Sequence, residues 1–223
     1  MVHVYRSMKR PNRKIIEAYR GIGSATVHEA SGRIGAVKPN IKPLARGMKV
    51  LGPALTVKCH PMDNLMLHKA IEVAEPGDVI VASTGGHVEG GYWGDLMATS
   101  ALARKIGGLV IDGSVRDSED IIAMEFPIFC RGTCIRGTVK RNLGLVNHPI
   151  LLGEVNIEPG DLVIGDDDGV VVVPLARVEE VLEAAHKRIE KEKNSRANLE
   201  KGIPGVKLNK LDSILESLGM IEE

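Results

Sequence analysis

Short apolar runs and more widely spaced apolar positions alternate along most of this chain. The short runs are rich in Val, Ile and Leu and are bounded by turn residues, a pattern that predicts β-strands. Because Gly52-Pro53 interrupts the first run, we expect a bend or a bulge there. The predicted strands cover residues 50–58, 79–82, 109–111, 126–130, 155–157, 162–164 and 170–173.

Helices are predicted where apolar residues recur every three or four positions or where a capping residue precedes a helical pattern. The longest predicted helix starts at Pro174, has apolar residues at 178, 181, 182, 185 and 189, and is densely charged beyond His186. Glycines at 202 and 205 end it before a short terminal helix. The other predicted helices cover 13–20, 25–30, 64–73, 96–105 and 119–124, with Asn12, Ser24, Asp63 and Ser118 as capping residues.

The tetrapeptide Glu-Pro-Gly-Asp occurs at 75–78 and at 158–161, each time directly before a predicted strand. Pro in its second position and Gly in its third favour a type II turn. Because strands outnumber the helices that could connect them, a strictly alternating doubly wound sheet is disfavoured. We therefore expect a mixed α/β sandwich, as a single domain over residues 1–195 with a helical tail at 196–223.

The composition narrows the possible functions. Lys and Arg together number 29, as do Asp and Glu, and this neutral balance argues against nucleic-acid or anionic-membrane binding. No apolar run approaches the roughly 18 residues of a membrane-spanning helix, and the N-terminus lacks the apolar core of a signal peptide. Three cysteines without a metal-binding spacing favour reduced thiols and a cytoplasmic location.

Two polar clusters, at residues 90–98 and 112–117, carry the candidate chemistry. The first is rich in glycine and leads into a predicted helix, and the second follows the next predicted strand. In α/β sheets the start of a helix and the carboxyl end of a strand face the same crevice, where ligands bind. A purely structural interpretation is also open, because Asp95 suits a helix start and Arg116-Asp117 can form a surface ion pair.

A metal-assisted reaction on a small 2-oxo acid fits these residue types. The Arg116 guanidinium matches a carboxylate bidentately, and Asp117 can hold a hard divalent cation that keeps several waters. The cation would chelate the carboxylate and keto oxygens of the substrate and stabilise the enolate left when a carbon–carbon bond breaks. Backbone N–H groups of residues 95–97 can point at an anion.

Other motifs have plainer interpretations. Residues 166–169 lack the alternating ligands and the distal Glu of a calcium loop, so they predict a β-turn. The histidines share no metal-binding spacing, although His87 lies near the glycine-rich stretch and is a candidate proton carrier. No GxGxxG follows a predicted strand, which leaves a Rossmann dinucleotide site unsupported.

The motifs at 94–97, 110–117 and 159–170 resemble those of the 4-hydroxy-4-methyl-2-oxoglutarate aldolase family, which also contains the regulator of ribonuclease activity A proteins. The resemblance covers about residues 20–195 and includes the 22-residue step from Gly94 to Arg116. It implies an α/β/β/α sandwich of the swivelling β/β/α type with a C-terminal helical extension. It also implies trimers or hexamers with sites between subunits.

The resemblance further implies the roles of individual residues. Asp117 would hold Mg²⁺ or Mn²⁺, and Asp95 and Arg116 would be the catalytic residues, with Asp95 near a site water as a proton carrier. A carboxylate from a neighbour's C-terminal helix, Glu190 or Glu192, would complete the outer shell of the metal. The residues that would bind the pyruvyl portion of the substrate are Gly94, Asp95, Leu96, Met97 and Arg116.

Two functions from different classes follow from the resemblance. The first is a divalent-metal-dependent (class II) aldolase that releases pyruvate from 4-hydroxy-2-oxo acids and also decarboxylates oxaloacetate. The second is a non-catalytic regulator that binds a ribonuclease. The long C-terminal segment, residues 175–223, favours the enzyme, because the regulators resemble this chain without it. Methyl transfer to demethylmenaquinone is disfavoured, because the chain has no glycine-rich nucleotide loop.

Overall fold

One mixed sheet of eight strands organises the fold in the computed structural model, which describes residues 2–222. Its strand order is β1-β6-β4-β3-β2-β11-β12, and β8 pairs with β2 outside this path. The central strands β2, β3, β4 and β6 run parallel, whereas β11 and β12 are antiparallel. Two further pairs, β9 with β10 and β5 with β7, stand apart. The strands are β1 Lys42–Pro43, β2 Val50–Lys58, β3 Val79–Ser83, β4 Gly108–Ile111, β5 Ser114–Val115, β6 Ile128–Cys130, β7 Gly132–Thr133, β8 Leu145–Val146, β9 Ile150–Leu152, β10 Val155–Ile157, β11 Leu162–Asp166 and β12 Gly169–Val173.

The helices form two outer layers on opposite sides of the strands. Helices α3, α4 and α5 follow the parallel strands, and α1, α2 and α6 cover the antiparallel ones. A 3-10 turn at Leu175–Arg177 leads into α6. The helices are α1 Arg13–Ala18, α2 Ser24–Ala30, α3 Leu65–Val73, α4 Asp95–Ala103, α5 Ser118–Ala123, α6 Val178–Leu199, α7 Gly205–Leu208 and α8 Asp212–Ser217.

Three apolar cores separate four layers, which confirms the expected α/β/β/α sandwich. One core lies between the parallel strands and α3, α4 and α5, and includes Leu55 and Leu67. A second lies between the two sets of strands, and a third packs α1, α2 and α6 on β11 and β12. The sheet is nearly closed, because its end strands meet: Lys42 Nζ of β1 donates to the carbonyl of Asp168 beside β12, at 2.6 Å.

Strand β2 changes layers at Gly52-Pro53, where a bend was predicted. Its first four residues pair with β11 in the antiparallel layer, and the pairing with the parallel strand β3 begins at Ala54. Gly52 suits this crossing, because a Cβ there would come within 2.2 Å of the carbonyl oxygen of Gly77. The interruption in the apolar run is therefore the point at which one strand passes between the two layers of this sheet.

The two Glu-Pro-Gly-Asp turns are built alike. Gly77 and Gly160 have φ values of 92° and 93°, as the third position of a type II turn requires. Asp78 and Asp161 close the turns, because each carboxylate accepts the N–H of the Glu three residues earlier. Asp78 is also held by two 2.8 Å hydrogen bonds from Arg10, which fastens the N-terminal segment to the body.

Two predicted helix caps are wrong in the same way. Helix α2 begins at Ser24 itself, and the carboxylate of Asp166, distant in sequence, accepts both the Ser24 N–H and its hydroxyl. Helix α5 has Asp117, not Ser118, as its N-cap residue. The cap of α1 is confirmed, since the Asn12 side chain accepts the Lys14 N–H. The Asp166 cap follows from tertiary packing, which local patterns do not reveal.

The C-terminal helix is present, and it runs without a break through residue 195 to Leu199. Its buried positions, Val178, Val181 and Ala185, all lie in its first turns. Glycines then precede the short helices α7 and α8, as predicted, and the division of the chain at residue 195 stays a prediction. Within residues 2–222, no helix combines the length and the apolar character that crossing a membrane requires.

Candidate active site

The two polar clusters meet because the chain around residues 91–93 runs parallel to β5. Gly91 forms a bridge with Ser114, and the Tyr92 N–H donates to the Ser114 carbonyl at 2.9 Å. The Arg116 N–H then donates to the carbonyl of Trp93, also at 2.9 Å. This ladder brings the start of α4 beside Arg116 and the residue that follows it. The crevice predicted from the sequence therefore exists.

Asp117 is turned toward the start of α4. Its backbone is left-handed, with φ 54° and ψ 41°, a conformation that costs a residue with a side chain roughly 1–2 kcal/mol. As the N-cap of α5 its side chain makes no capping hydrogen bond to that helix. Instead Oδ2 accepts the Asp95 N–H at 3.3 Å and lies 3.3 Å from Nε of Arg116. The carboxylate is thus held at the surface between Arg116 and the first turn of α4.

Gly94 makes this approach possible. A Cβ at Gly94 would lie 2.4 Å from Oδ2 of Asp117, well inside the contact distance of the two atoms. Its φ of −131° is open to any residue, so the need for glycine is one of space. The glycine-rich stretch therefore includes at least one glycine whose small size admits the Asp117 carboxylate.

The arrangement of N–H groups differs in part from the one expected. The Asp95 N–H faces the Asp117 carboxylate, and the Met97 N–H donates to the carbonyl of Gly94. The Asp95 N–H is not free to bind a substrate anion, because the Asp117 carboxylate already supplies the anion that a helix N-terminus favours. The roles of Gly94, Asp95, Leu96 and Met97 toward a substrate stay predictions.

Arg116 separates two cavities. One, of about 270 Å³, is lined by Arg116 and by the start of α4, including Gly94, Asp95, Leu96 and Met97. The other, of about 250 Å³, is lined by Arg116, Asp117 and residues 133–135. The Arg116 side chain is 45% exposed and that of Asp117 33%. Both charged groups are therefore open to a small ligand, whereas an interior Asp117 would have excluded one.

The larger cavity also contains residues that the sequence did not indicate. Asn64 and His68 reach it from the start of α3, one helical turn apart. Thr138 and Lys140 reach it from the irregular segment between β7 and β8. The polar positions of Asn64 and His68 within an apolar helical stripe were a usable signal, because they lie on one helical face. The place of Lys140 had no comparable signal in the sequence.

Asp63 holds in place both the start of α3 and the segment that carries Lys140. Its carboxylate accepts the N–H groups of Arg141 and Asn142, at 2.7 and 2.8 Å, and that of Leu65 at the start of α3. Burial opposes ionisation of Asp63, but these hydrogen bonds outweigh it and hold its pKa below the usual range. The N-cap residue of α3 is Asn64, not Asp63 as predicted, but the Asp63 side chain still accepts an N–H of the first turn and positions the segment that carries Lys140.

His68 brings a neutral base into the cavity. Burial lowers its pKa, and the positive charge of Lys140 lowers it further. The imidazole is consequently uncharged near neutral pH. His87, the candidate from the sequence, is placed differently: its ring faces the Tyr92 hydroxyl at 3.2 Å and does not line this cavity.

The plainer interpretations hold for the cysteines, which are free thiols, and for residues 166–169, which form a turn. Cys59 and Cys130 are buried, and burial raises the pKa of each thiol, to about 12 and about 11. Cys134 is partly exposed and lines the smaller cavity. The predicted turn after Asp166 is confirmed, because Asp166 pairs with Gly169 across two connecting residues.

The donor set fits a hydrated magnesium ion. Asp117 supplies one exposed carboxylate, and Mg²⁺ typically takes one or two protein carboxylates and keeps several waters. In the part of the chain that the structure describes, no three His, Cys, Asp or Glu side chains are grouped to hold a metal. A cage of protein ligands, as structural zinc requires, is therefore not formed within residues 2–222. The cation itself stays a prediction.

Glu190 and Glu192 lie on α6, in the opposite outer layer from α4 and α5. Glu192 is paired with Arg188 at 2.7 Å, and Glu190 is exposed. Because α6 packs on α2 and α1, neither carboxylate belongs to the crevice of its own chain. A contribution to the site would have to come from another copy, as the family resemblance implies.

Comparison with known proteins agrees with the fold. The sequence profile of the RraA-like family, described as Aldolase/RraA, matches residues 15–172. The chain therefore belongs to the RraA-like family.

Among individual relatives, a Halalkalibacterium halodurans protein is 41% identical to this chain over 173 residues. The match covers 78% of this chain and 82% of the relative, whose provisional name is 4-hydroxy-4-methyl-2-oxoglutarate aldolase. Streptomyces coelicolor RraAS2, described as an unusual member of the RNase ES inhibitor RraA family, superposes with a TM-score of 0.78 at 30% identity, over 85% of this chain and 99% of its own. An uncharacterised Pseudomonas syringae pv. tomato protein also gives 0.78, at 28% identity, over 88% and 97%.

Proposed function

We propose that this protein is a divalent-metal-dependent aldolase that cleaves 4-hydroxy-2-oxo acids to pyruvate and also decarboxylates oxaloacetate. The observation that carries the proposal is the junction of Gly94, Arg116 and Asp117. It places an exposed carboxylate, a guanidinium and the start of a helix around two small cavities. The name of the Halalkalibacterium relative supports the same class of reaction and a substrate like 4-hydroxy-4-methyl-2-oxoglutarate.

In this proposal Asp117 would hold Mg²⁺ or Mn²⁺, partly through waters. The bound cation supplies Lewis-acid polarisation of the 2-oxo group. Arg116 binds the neighbouring carboxylate through its planar fork, which fixes the orientation of the three-carbon portion. The backbone at Leu96 and Met97 forms the wall against which that portion lies. These contacts favour the negative charge that develops as the carbon–carbon bond breaks.

Proton transfer is assigned to Asp95, which lines the larger of the two cavities beside Arg116. In the aldol reaction the 4-hydroxyl loses its proton as the C3–C4 bond breaks, and the electron pair of that bond passes to the pyruvyl fragment. A proton then returns to C3, so that pyruvate is released with its methyl group complete. The side of the cavity formed by α3 and residues 137–140 carries His68 and Lys140. We assign these two side chains to binding the remaining carboxylate of a dianionic substrate.

A second candidate is a protein that binds and inhibits a ribonuclease. The similarity to Streptomyces coelicolor RraAS2 favours it, because that protein belongs to a family of RNase ES inhibitors. The junction of Arg116 and Asp117 does not by itself separate the two functions, since a binding protein can retain it. A direct assay does.

Pyruvate release from 4-hydroxy-4-methyl-2-oxoglutarate and from oxaloacetate tests the proposal, with Mg²⁺ and then with a chelator. We expect release that requires the metal and is lost in Asp117→Ala. Arg116→Lys should lower kcat/KM by about 10- to 100-fold, because a point charge replaces a fork worth about 1.5–3 kcal/mol. Arg136→Lys is the matched control, since Arg136 pairs with Glu89 and lines neither cavity. No release from several 2-oxo acids would favour the binding protein.

A further inference from the structure

Three parallel strands of the sheet end at a cavity that is separate from the candidate active site. Ser83 is the last residue of β3, and Asp112 and Arg131 directly follow β4 and β6. All three line a cavity of about 370 Å³, and neither cavity beside Arg116 includes any of them. Ligands of α/β sheets bind outside the carboxyl ends of parallel strands, so the position of this cavity suits a ligand site.

Asp112 is a buried carboxylate with one acceptor position open. Its exposed fraction is 8%. Oδ1 accepts both the N–H and the hydroxyl of Thr84, and Oδ2 accepts the Gly86 N–H at 3.0 Å. The Ser83 hydroxyl lies 3.4 Å from Oδ2, but its single proton is better placed on the carbonyl of Leu151, at 3.0 Å. A carboxylate has about four acceptor positions, and one on Oδ2 is therefore left for a ligand.

The charge of this carboxylate also lacks a counter-ion. In the part of the chain that the structure describes, the partners of Asp112 are N–H and hydroxyl groups. Buried charges in proteins are as a rule paired with an opposite charge. A ligand that carries a cationic hydrogen-bond donor would supply the missing charge.

Arg131 brings a guanidinium to the same cavity. Nη1 donates to the carbonyl of Gly86 at 2.7 Å, which is the one hydrogen bond of this side chain within residues 2–222. The ion pairs among those residues do not include one between Arg131 and Asp112. The remaining donors of the fork are therefore available to a carboxylate, which they match in shape.

Gly86 limits how far apart the two charged groups can be. Its N–H donates to Asp112 and its carbonyl accepts from Arg131, so one residue lies between them. The two hydrogen bonds and the span from N to O of a single residue add up to at most roughly 9 Å. An α-amino acid has the same short span between its ammonium and its carboxylate, and with one hydrogen bond at each end it covers a similar distance.

The rest of the cavity adds no net charge. Lys38 and Glu154 pair with each other at 2.8 Å. Ile41 and Leu151 provide apolar wall. The cavity thus offers a guanidinium, a carboxylate and an apolar surface, which is the complement of a small zwitterion with a side chain.

We propose that this cavity binds a small α-amino acid. The carboxylate of the ligand accepts from Arg131, and its ammonium donates to the open position on Oδ2 of Asp112. A carboxylate without an ammonium would leave Asp112 unpaired, and an amine without a carboxylate would lie near the unpaired charge of Arg131. Both charges of the ligand are therefore required.

The loop that holds Gly86 leads from this cavity to the candidate active site. It runs from the end of β3 to Gly91, which forms a bridge with Ser114 beside Arg116. A ligand that draws on both partners of Gly86 acts on this loop, so we expect it to change kcat/KM for pyruvate release. This effect rests on the proposed function, whereas the binding does not.

Titration calorimetry on the full chain, without metal or substrate, tests the binding. The probes are the common L-α-amino acids, each added separately, with propionate, ethylamine and ammonium chloride as single-charge controls. We expect saturable binding of at least one amino acid and none of the three controls at the same concentration. No binding of any amino acid, or equal binding of a control, would overturn the proposal.

Variants assign the binding to this cavity. Arg131→Met and Asp112→Asn should each weaken it at least about tenfold, because each removes a charge-assisted hydrogen bond. Arg136→Met is the matched control and should bind as wild type, since Arg136 pairs with Glu89 and lines none of the three cavities. If Asp112→Asn does not fold, the comparison of Arg131→Met with Arg136→Met decides.

Equal affinity in Arg131→Met and wild type would overturn the assignment, as would equal weakening in Arg136→Met. Binding to a protein that releases no pyruvate would retain the site and remove only its effect on catalysis. In an active protein, binding that leaves kcat/KM unchanged would contradict the coupling through the loop.

Discussion

The Oδ2 atom of Asp117 lies 3.3 Å from the backbone nitrogen of Asp95, across 22 residues of sequence. The contact joins Asp117, whose backbone is left-handed, to the first turn of α4. It leaves the carboxylate exposed beside Arg116, where a cation and a carboxylate of a substrate can be held together. The proposed chemistry depends on this contact more than on any single side chain.

Gly94→Ala should disable the site and leave the fold intact. The added Cβ would meet Oδ2 of Asp117 at 2.4 Å and push the carboxylate from its place. We expect kcat/KM for pyruvate release to fall at least about tenfold, which corresponds to about 1.4 kcal/mol of lost transition-state stabilisation. Steady-state kinetics and a thermal melt measure the two effects separately.

Gly23→Ala is the matched control for that substitution. Gly23 is also a helix N-cap beside an aspartate, but its Cβ would lie 3.7 Å from Asp166, an ordinary contact. It should retain full activity. Equal losses in both variants would show that the space around Asp117 is not the reason for the glycine at 94.

Asp95→Asn should separate the two reactions. Aldol cleavage must remove a proton from the 4-hydroxyl, whereas oxaloacetate loses carbon dioxide and has no such proton to transfer. We expect the variant to lower kcat for the aldol substrate by about 100-fold, within the range of general acid–base catalysis, and to affect decarboxylation less. Parallel assays of both substrates measure this ratio, and an equal loss would contradict the role of Asp95.

The imidazole of His68 should titrate below the usual value of about 6.5. Burial is the larger cause and the charge of Lys140 the smaller, so Lys140→Met should raise the pKa only part of the way. The shift of the His68 ring proton with pH, followed by NMR, measures both values. A wild-type midpoint at or above 6.5 would show that the cavity is more open to water than the structure indicates.

Asp63→Asn should lower the free energy of unfolding by about 1–3 kcal/mol at neutral pH, because buried N–H groups lose their acceptor. The pKa of Asp63 is lowered in the folded state, so its contribution is present above the unfolded value of about 3.9. The contribution is lost as the pH falls through the folded pKa. The difference between variant and wild type should therefore shrink in acid.

Urea unfolding at several pH values measures that difference. Glu154→Gln serves as the control, because Glu154 is exposed and its change should stay within about 0.5 kcal/mol. A constant difference between Asp63→Asn and wild type down to strongly acidic pH would contradict the role of the ionised carboxylate.

Local patterns were sufficient to predict most strands and helices and a mixed α/β sandwich, whereas the α/β/β/α order of the layers came from the family resemblance. Strands such as β3 and β12 are continuous apolar runs, and their turns carry glycines at positive φ, so each is specified by its own residues. The crevice was predictable for the same reason, because one helix start and one strand end lie close together in the sequence. The family resemblance supplied the roles of individual residues, which the geometry alone does not assign.

Contacts between distant segments were not predictable. Asp166, at the end of β11, bonds to the start of α2, and Asp63 fixes residues 141–142, yet neither pairing leaves a periodic trace in the sequence. Lys140 enters the cavity only because that irregular segment is held in place. The side chains missed at the site are thus those that long-range hydrogen bonds position.

Deuterium exchange into the methyl group of pyruvate is the most direct test of the junction between Asp117 and the start of α4. The exchange breaks a methyl C–H bond and returns a deuteron to the same carbon, so it requires that negative charge on the three-carbon fragment be stabilised, but it needs neither a second substrate nor the cleavage of a carbon–carbon bond. In D₂O with Mg²⁺ we expect enzyme-dependent loss of the methyl proton signal, suppressed by chelator and in Asp117→Asn. No exchange in the wild-type protein, or undiminished exchange in Asp117→Asn, would contradict the proposed site.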